Sequence, residues 1–571
     1  MRGADVLVEM LIGYGVEVVF GVPGDTNVPF YDALNDASGR IRHVMARDER
    51  SSGFMADAYA RTTDKPGVFE CPSGAGLLYA LPGAAEAYTS RLPVIMITSD
   101  IPLAGEGRGV LTELDCARMM EPITKASIQI KLAEKIPETI RRAFRIATSG
   151  HPGAVHIAIP EDLLHAEVDR ARISFHVEDE CKTFPSFPVC PAPSKVEALV
   201  KLIQGAKRPL FVAGGGVNRA RAGLLLTEFA ERYGLPIVNS MTGQATIVDD
   251  HPLAIGVIGD NGFHPHANRA LEEADLVIYA GSKVGSVVTS GGTIPKASPE
   301  RLIVHIDIDP EVLANTYDTA LSIASDAGLL FEQLIKIAPA KPVVDKAWVD
   351  HLNAYRKEFW ANIQASLDDV SLPLRPEYVI KMFNARLTEP ANIISDAGTP
   401  TPYLTRFLKL GDPRSQLIIP RGYGGLGYAV SAVVGAWFAA PDKRPIGFFG
   451  DGSLGMTAGE LETLVRLRVP AILLHFNNGC FGWIKALQRV QGHNRTFSVD
   501  FNLIDGKKVA EAFGMKAWRV TEPAELNEAL DAAFKEKGPC LIDIVTESIA
   551  ERLPPVYSWQ KKQSIDPLAL G

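Results

Sequence analysis

Gly450-Asp451-Gly452-Ser453 and, a helix and a strand further on, Pro470-Ala471-Ile472-Leu473-Leu474-His475-Phe476-Asn477-Asn478-Gly479-Cys480 decide how this chain is read. The first stretch closes the apolar run Arg444 to Phe449, and its glycines let the backbone turn sharply and bring its N–H groups close to a phosphate. The second ends another apolar run on two amides. In a parallel sheet both runs open on one edge, where ligands bind. A hard cation takes oxygen ligands and keeps phosphate oxygens in its shell, so an aspartate, an amide oxygen and a backbone carbonyl at one sheet edge form a diphosphate anchor. A tight turn and an asparagine cap explain each piece but not their conjunction.

Working outward, the same alternation of apolar strands and helical stretches returns three times. Runs at Val16 to Gly21, Gly67 to Cys71, Pro93 to Thr98 and Ala154 to Pro160 predict a first α/β domain over residues 1–180. A proline-rich connector, Phe184 to Ser194, leads to a second domain over 195–340, with strands at Pro209 to Ala213, Asp275 to Ala280 and Leu302 to Asp307. The third spans 370–548, with Asn392 to Asp396 and Pro539 to Val545 flanking the two deciding runs. Residues 549–571 form an aromatic and basic tail, read as a docked extension or an active-site lid. The fold class expected is α/β, three doubly wound parallel-sheet domains.

Composition narrows the function classes. A chain of 571 residues is too long for one core, and 46% hydrophobic with 22% charged residues describes a packed globular protein. A net charge of -9 without a Lys/Arg-rich block gives nucleic acid nothing to grip. The longest apolar run, Tyr428 to Ala440, is shorter than the roughly 20 residues of a membrane helix and reads as a buried helix. No charged leader with a cleavage site precedes the first amphipathic pattern, so the cytoplasm is expected. The six cysteines form no CxxC pair and read as free thiols.

The Gly-Asp-Gly and Asn-Asn pair resembles the thiamine diphosphate motif, and the resemblance extends over nearly the whole chain to the acetolactate synthase, pyruvate oxidase and oxalyl-CoA decarboxylase group of thiamine enzymes. It implies that the first domain is pyrimidine-binding, the second the central Rossmann-like domain and the third diphosphate-binding, with a magnesium ion held by Asp451, the Asn478 side chain and the Cys480 carbonyl, Gly450, Gly452 and Ser453 around the diphosphate and Asp396-Ala397-Gly398-Thr399 as a companion loop. Gly422-Tyr423-Gly424-Gly425-Leu426-Gly427 resembles the segment that grips the cofactor's centre, with Leu426 as the wedge and the Gly424 carbonyl receiving the aminopyrimidine. The group carries a glutamate ahead of a helix resembling Met55-Ala56-Asp57-Ala58-Tyr59-Ala60-Arg61; here it is Glu49, implied to be the proton-transfer residue. In this superfamily each site combines domains of two subunits, so a homodimer or homotetramer acting on a small molecule is implied. Gly214, Gly215 and Asp307 resemble the central FAD or ADP site of some relatives.

Departures from the subfamily patterns bear on the substrate. Gly24-Asp25-Thr26-Asn27 resembles the pyruvate decarboxylase loop, but there is no His-His pair and Ile484 replaces the later glutamate. Acetolactate synthases have Phe-Gln and a tryptophan where this chain has Leu111-Thr112 and Leu487. Glu113-Leu114-Asp115 resembles the acyl-CoA branch, and Arg552, Lys561 and Lys562 could meet CoA phosphates. Asp25, Leu111, Thr112, Phe481 and Trp483 are the expected substrate wall. The leading expectation is a thiamine diphosphate- and Mg2+-dependent carbon–carbon lyase or carboligase, acetolactate synthase-like, acting next to a carbonyl through an enamine on a 2-oxo acid donor. The alternatives are a 2-hydroxyacyl-CoA lyase or oxalyl-CoA decarboxylase type, and a non-catalytic nucleotide-binding paralogue.

Overall fold

The computed structural model describes residues 1–569. Three six-stranded sheets, all parallel in their pairing, follow one another along the chain. The first holds β1 (Val18–Gly21), β2 (Arg42–Met45), β3 (Gly67–Pro72), β4 (Val94–Asp100), β5 (Ala126–Gln129) and β6 (Val155–Pro160), in the order β2-β1-β3-β4-β6-β5. The second holds β7 (Pro209–Ala213), β8 (Ile237–Asn239), β9 (Ala254–Val257), β10 (Leu276–Ala280), β11 (Leu302–Asp307) and β12 (Leu321–Ala324), in the order β12-β11-β10-β7-β8-β9. The third holds β13 (Ala391–Ser395), β14 (Gln416–Ile418), β15 (Arg444–Gly450), β16 (Ile472–Asn477), β17 (Lys516–Val520) and β18 (Cys540–Val545), in the order β14-β13-β15-β16-β18-β17. The central strands β4, β6, β7, β10 and β16 are buried at every residue, because helices cover both faces of a parallel sheet.

The first and third sheets share one strand order; the middle sheet has the doubly wound dinucleotide order. In each, the direction of strand addition reverses at one point, and a crevice opens there at the carboxyl ends of the strands. These points lie between β1 and β3, between β7 and β10, and between β13 and β15.

The first and third domains share one hydrophobic core, with Phe54, Met55, Ala58, Val430, Val433 and Phe449 among its members. Two helices join them, Glu49–Thr62 and Tyr428–Ala439. A Cβ on Gly435 would stand 1.9 Å from the Met55 carbonyl oxygen, so only glycine lets these helices pack this closely. The helix Lys346–Asn362 lies past residue 340 yet packs on the central core through Trp348 and Leu352, and the Trp348 indole N–H donates to the Pro209 carbonyl at 3.0 Å. Among the described residues no helix is long and apolar enough to cross a membrane.

The tail turns back onto its own chain. Gly262 N–H donates to the Pro555 carbonyl at 2.7 Å, Ser558 N–H to Asp260 at 2.9 Å, and Tyr557 packs edge-on against Phe263. The tail thus bridges the central domain and the helix Gly482–Gln491, where Trp559 meets Trp483 with ring centres 4.5 Å apart. The last two residues of the expected tail, 570 and 571, lie outside the described residues.

Candidate functional site

The crevice of the third domain is built at the ends of β13, β15 and β16. Gly450 ends β15 and Asp451 begins the helix Asp451–Thr457 without an intervening loop. A Cβ on Gly452 would meet the Phe481 ring at 2.6 Å and Leu426 Cδ1 at 3.1 Å, so glycine here lets the wedge residue and the ring of Phe481 close over the turn. Asp451 Oδ2 accepts from the Asn478 N–H at 2.9 Å, tying the two motifs together. The side-chain oxygen of Asn478 lies 3.2 Å from the Cys480 carbonyl oxygen and 3.3 Å from Asp451 Oδ2. With the amide turned over its NH2 donates to both of those oxygens and holds the three groups together; with its oxygen inward the same three groups suit a cation.

Buried polar groups surround this cluster. Asp396, just past β13, accepts from Ala429 N–H at 3.0 Å, while among the described residues its other oxygen and the Ser453 hydroxyl, both buried, make no hydrogen bond of good geometry. Burial pushes the Asp396 carboxyl up to about 7, against the pull of backbone N–H groups. Gly398 adopts φ +100°, and a Cβ on Gly482 would sit 3.0 Å from Thr399 Oγ1 and 3.3 Å from the Asn478 amide nitrogen. Gly424, at φ +68°, approaches Ala397. Behind the cluster His475 is sandwiched: Nδ1 lies 2.9 Å from Asp543 Oδ1 and Nε2 3.5 Å from Asp451 Oδ1. Asn477 is spent on structure, donating to Ile504 O and Asp543.

The first domain's crevice holds acids instead. Glu49 opens its helix behind the Asp48 cap, and burial raises its carboxyl above the ordinary value. Its Oε1 lies 3.1 Å from where a Gly76 Cβ would stand. Gly24 sits over Pro72, and its N–H donates to Asn27. Glu70, on β3, is buried and accepts from Asn27 and Tyr31; burial pushes it up to about 8, with the charge of Glu49 adding to the effect. Its signal in the sequence was a lone carboxylate in an apolar strand. Among the described residues no hydrogen bond or ion pair links Glu49 to Asp451, Asn478 or Leu426 of the same chain.

The expected substrate wall divides. Phe481 stands against Gly452 and packs edge-on with Phe501, 4.5 Å between centres. Thr112, at φ +69°, bonds Ser73 Oγ at 2.8 Å, Leu111 is 81% exposed, and Asp25 is exposed at the first crevice. Trp483 turns away toward Trp559 of the tail. The acyl-CoA signals have local tasks: Glu113 accepts the N–H groups of Gly107, Gly109 and Val110, Asp115 caps the helix Cys116–Met120, and Arg552 lies 3.7 Å from Glu547.

At the central switch point a cavity of about 320 Å³ opens beside Gly215, Gly216, Arg219, Lys283 and Asp307, with Arg61 and Arg421 on its walls. A Cβ on Gly214 would collide with the Gly281 carbonyl at 2.2 Å, so the glycine run lets β7 and β10 close beneath it. Arg219 has no hydrogen bond or ion pair among the described residues, and burial pushes its guanidinium down to about 10. Asp307 and Asp309 are engaged by Arg91 of the first domain.

Three family models match this chain in order: the thiamine pyrophosphate enzyme N-terminal TPP binding domain over residues 1–119, the central domain over 196–334, and the C-terminal TPP binding domain over 396–544. The chain is 33% identical to a probable acetolactate synthase large subunit of Methanocaldococcus jannaschii, over 97% of this chain and 93% of that protein. It is 30% identical to the acetolactate synthase isozyme 1 large subunit of Escherichia coli, over 97% and 96%, and 28% identical to the acetolactate synthase large subunit of Lactococcus lactis, over 97% and 94%. The chain belongs to the thiamine pyrophosphate enzyme family, and thiamine diphosphate is its cofactor.

Proposed function

We propose, from this family membership, that the protein is an acetolactate synthase-like carboligase that takes a 2-oxo acid as donor, removes its carboxylate and joins the remaining fragment to a second carbonyl compound. One observation carries the reading: the Asp451 carboxylate, the Asn478 side-chain amide and the Cys480 carbonyl converge at the ends of β15 and β16. They fit Mg2+, which takes such oxygens together with those of a diphosphate. Bound thiamine diphosphate supplies an electron sink for the bond that breaks. The protein's share is binding and proton transfer. Asp396, Gly398, Thr399 and Ser453 line the diphosphate end, Gly424 and Leu426 hold the middle, and Phe481 with Gly452 shields the crevice from water. Glu49, a carboxyl raised by burial, gives and takes the proton.

Two copies complete the site in this reading. Among the described residues Glu49 makes no hydrogen bond or ion pair with its own third domain, and exposed apolar side chains flank both crevices, Val28, Tyr79 and Leu111 on one and Tyr423, Ile484 and Phe497 on the other. A cytoplasmic homodimer or homotetramer is the proposed assembly. The unpaired Arg219 and the glycine run support a phosphate-bearing adenine nucleotide, FAD or ADP, in the central cavity. Heat release followed by absorbance at flavin wavelengths separates the two. The thioester reading draws no support from Glu113, Asp115 or Arg552, each already engaged. Turnover of pyruvate, glyoxylate, benzoylformate, oxalyl-CoA and a 2-hydroxyacyl-CoA tests the whole; activity confined to thioesters would overturn the 2-oxo acid donor.

A further inference from the structure

Glu86 stands apart from every residue used so far. It lies on the helix Ala75–Thr89 of the first domain, 1% exposed, in an otherwise apolar turn. Its carboxylate crosses into the third domain and accepts three successive backbone N–H groups: Gly422 to Oε1 at 2.9 Å, Tyr423 to Oε2 at 2.8 Å and Gly424 to Oε2 at 3.3 Å. Consecutive N–H groups converging on one anion form a nest, a geometry a loop adopts when something negative fills it. The far side of the carboxylate is held by Ser90 Oγ at 2.9 Å and by Arg61 at 3.3 Å, and Arg61 in turn pairs with Asp57 at 2.6 Å. Burial works against the charge of Glu86, but Arg61 and the N–H groups outweigh it and hold the carboxyl below its ordinary value. A Cβ on Gly422 would stand 3.0 Å from Glu86 Oε2, so the loop fits the carboxylate closely.

The segment clamped in this way runs directly into Gly424 and Leu426. Its φ values of +68° at Gly424 and +88° at Gly427 are open to glycine and unfavourable for other residues, so a loop this rich in glycine owes its fixed shape to contacts such as the Glu86 carboxylate. We propose that Glu86 is a positioning residue: its carboxylate, seated in the Gly422–Gly424 nest, fixes the loop so that the Gly424 carbonyl and the Leu426 wedge meet the cofactor. The clamp rests on the roles assigned to Gly424 and Leu426 above. It joins the first and third domains of one chain, whereas Glu49 serves a site that this chain alone does not complete.

The test is calorimetric titration of thiamine diphosphate with Mg2+ into the full-length wild type, Glu86→Gln, Glu86→Asp and Glu377→Gln. Glu377 is a buried carboxylate paired with Arg375, away from the loop, and reports general loss of stability. Glu86→Gln should weaken cofactor affinity about tenfold or more, on the scale of groups that orient a site's first contacts, with the oligomeric state unchanged. Glu86→Asp should recover part of the loss, and Glu377→Gln should lower the melting temperature without touching cofactor affinity. Equal affinity in wild type and Glu86→Gln, or an equal loss in Glu377→Gln, would overturn the clamp. A wild type that binds no thiamine diphosphate would instead sink the cofactor roles. Amide exchange on the unmodified protein needs no variant: Gly422, Tyr423 and Gly424 should be protected although Tyr423 is exposed, and exchange at solvent rates would overturn the proposal.

Discussion

The first and third domains are built on one strand order and share one core, yet their crevices carry opposite chemistry. At the ends of β15 and β16 meet the Asp451 carboxylate, the Asn478 amide and the Cys480 carbonyl, groups suited to a cation and a diphosphate. At the β1/β3 switch point stand carboxyls that burial pushes toward holding protons, Glu49 and Glu70. Topology supplies a crevice in each; a few side chains at strand ends decide what it does. One half is suited to binding, the other to moving a proton.

The sharpest way to break that division is Asp451→Ala. Removing a ligand from the oxygen cluster should weaken thiamine diphosphate binding in the presence of Mg2+ by about 100-fold or more, the upper end of what metal-site changes cost. Glu49→Gln should leave binding intact and slow exchange of the cofactor's reactive proton by about 100-fold, the scale of lost general acid–base help, read by NMR in deuterated water. Were Glu49→Gln to abolish binding instead, the two crevices would not be separable in function.

How much of this could be read from the chain follows from what shapes each part. The buried strands β6, β7 and β16 are largely apolar runs, interrupted only by His156, His475 and Asn477, and were visible as such. The short strands β2 and β14 carry too few residues and too mixed a burial to show a period. Asp451, Asn478 and Leu426 were legible because local spacing marks them, and the structure draws their loops together. Glu86 was not, because the loop it clamps lies more than 300 positions away and its neighbours Ala84, Ala85 and Ala87 read as helix filler. His475 sits in a largely apolar run with no local mark of its task, and the fold places it between Asp451 and Asp543. Trp483 was singled out by its place just after Cys480, but nothing local in the sequence reveals that Trp559 of the tail packs on it.

Smaller effects sharpen the comparison. His475→Gln, behind the oxygen cluster, should weaken cofactor binding about tenfold without altering the proton exchange rate of saturated enzyme, measured by the same two assays. Glu70 gives the smallest signal. Its carboxyl is pushed up to about 8 in the fold and titrates near 4.5 when unfolded, so the folded state binds the extra proton between those values. Its stabilising share is complete below the unfolded value and is lost as pH rises through about 8. Glu70→Gln, always neutral, should therefore melt like wild type near pH 5 and roughly 2–4 °C higher at pH 9, by thermal denaturation followed at both pH values. A constant offset across that range would mean that Glu70 carries no such proton.

The most direct test of the division, and of a site shared between copies, is to mix Glu49→Gln with Asp451→Ala. Each variant alone should be nearly inactive. If the first crevice of one copy serves the third of another, half the dimers in an equal mixture are hybrids, and each hybrid carries one intact site. Activity should then return to roughly a quarter of the wild-type level after subunit exchange. No recovery in a mixture shown by mass to contain hybrids would contradict the account.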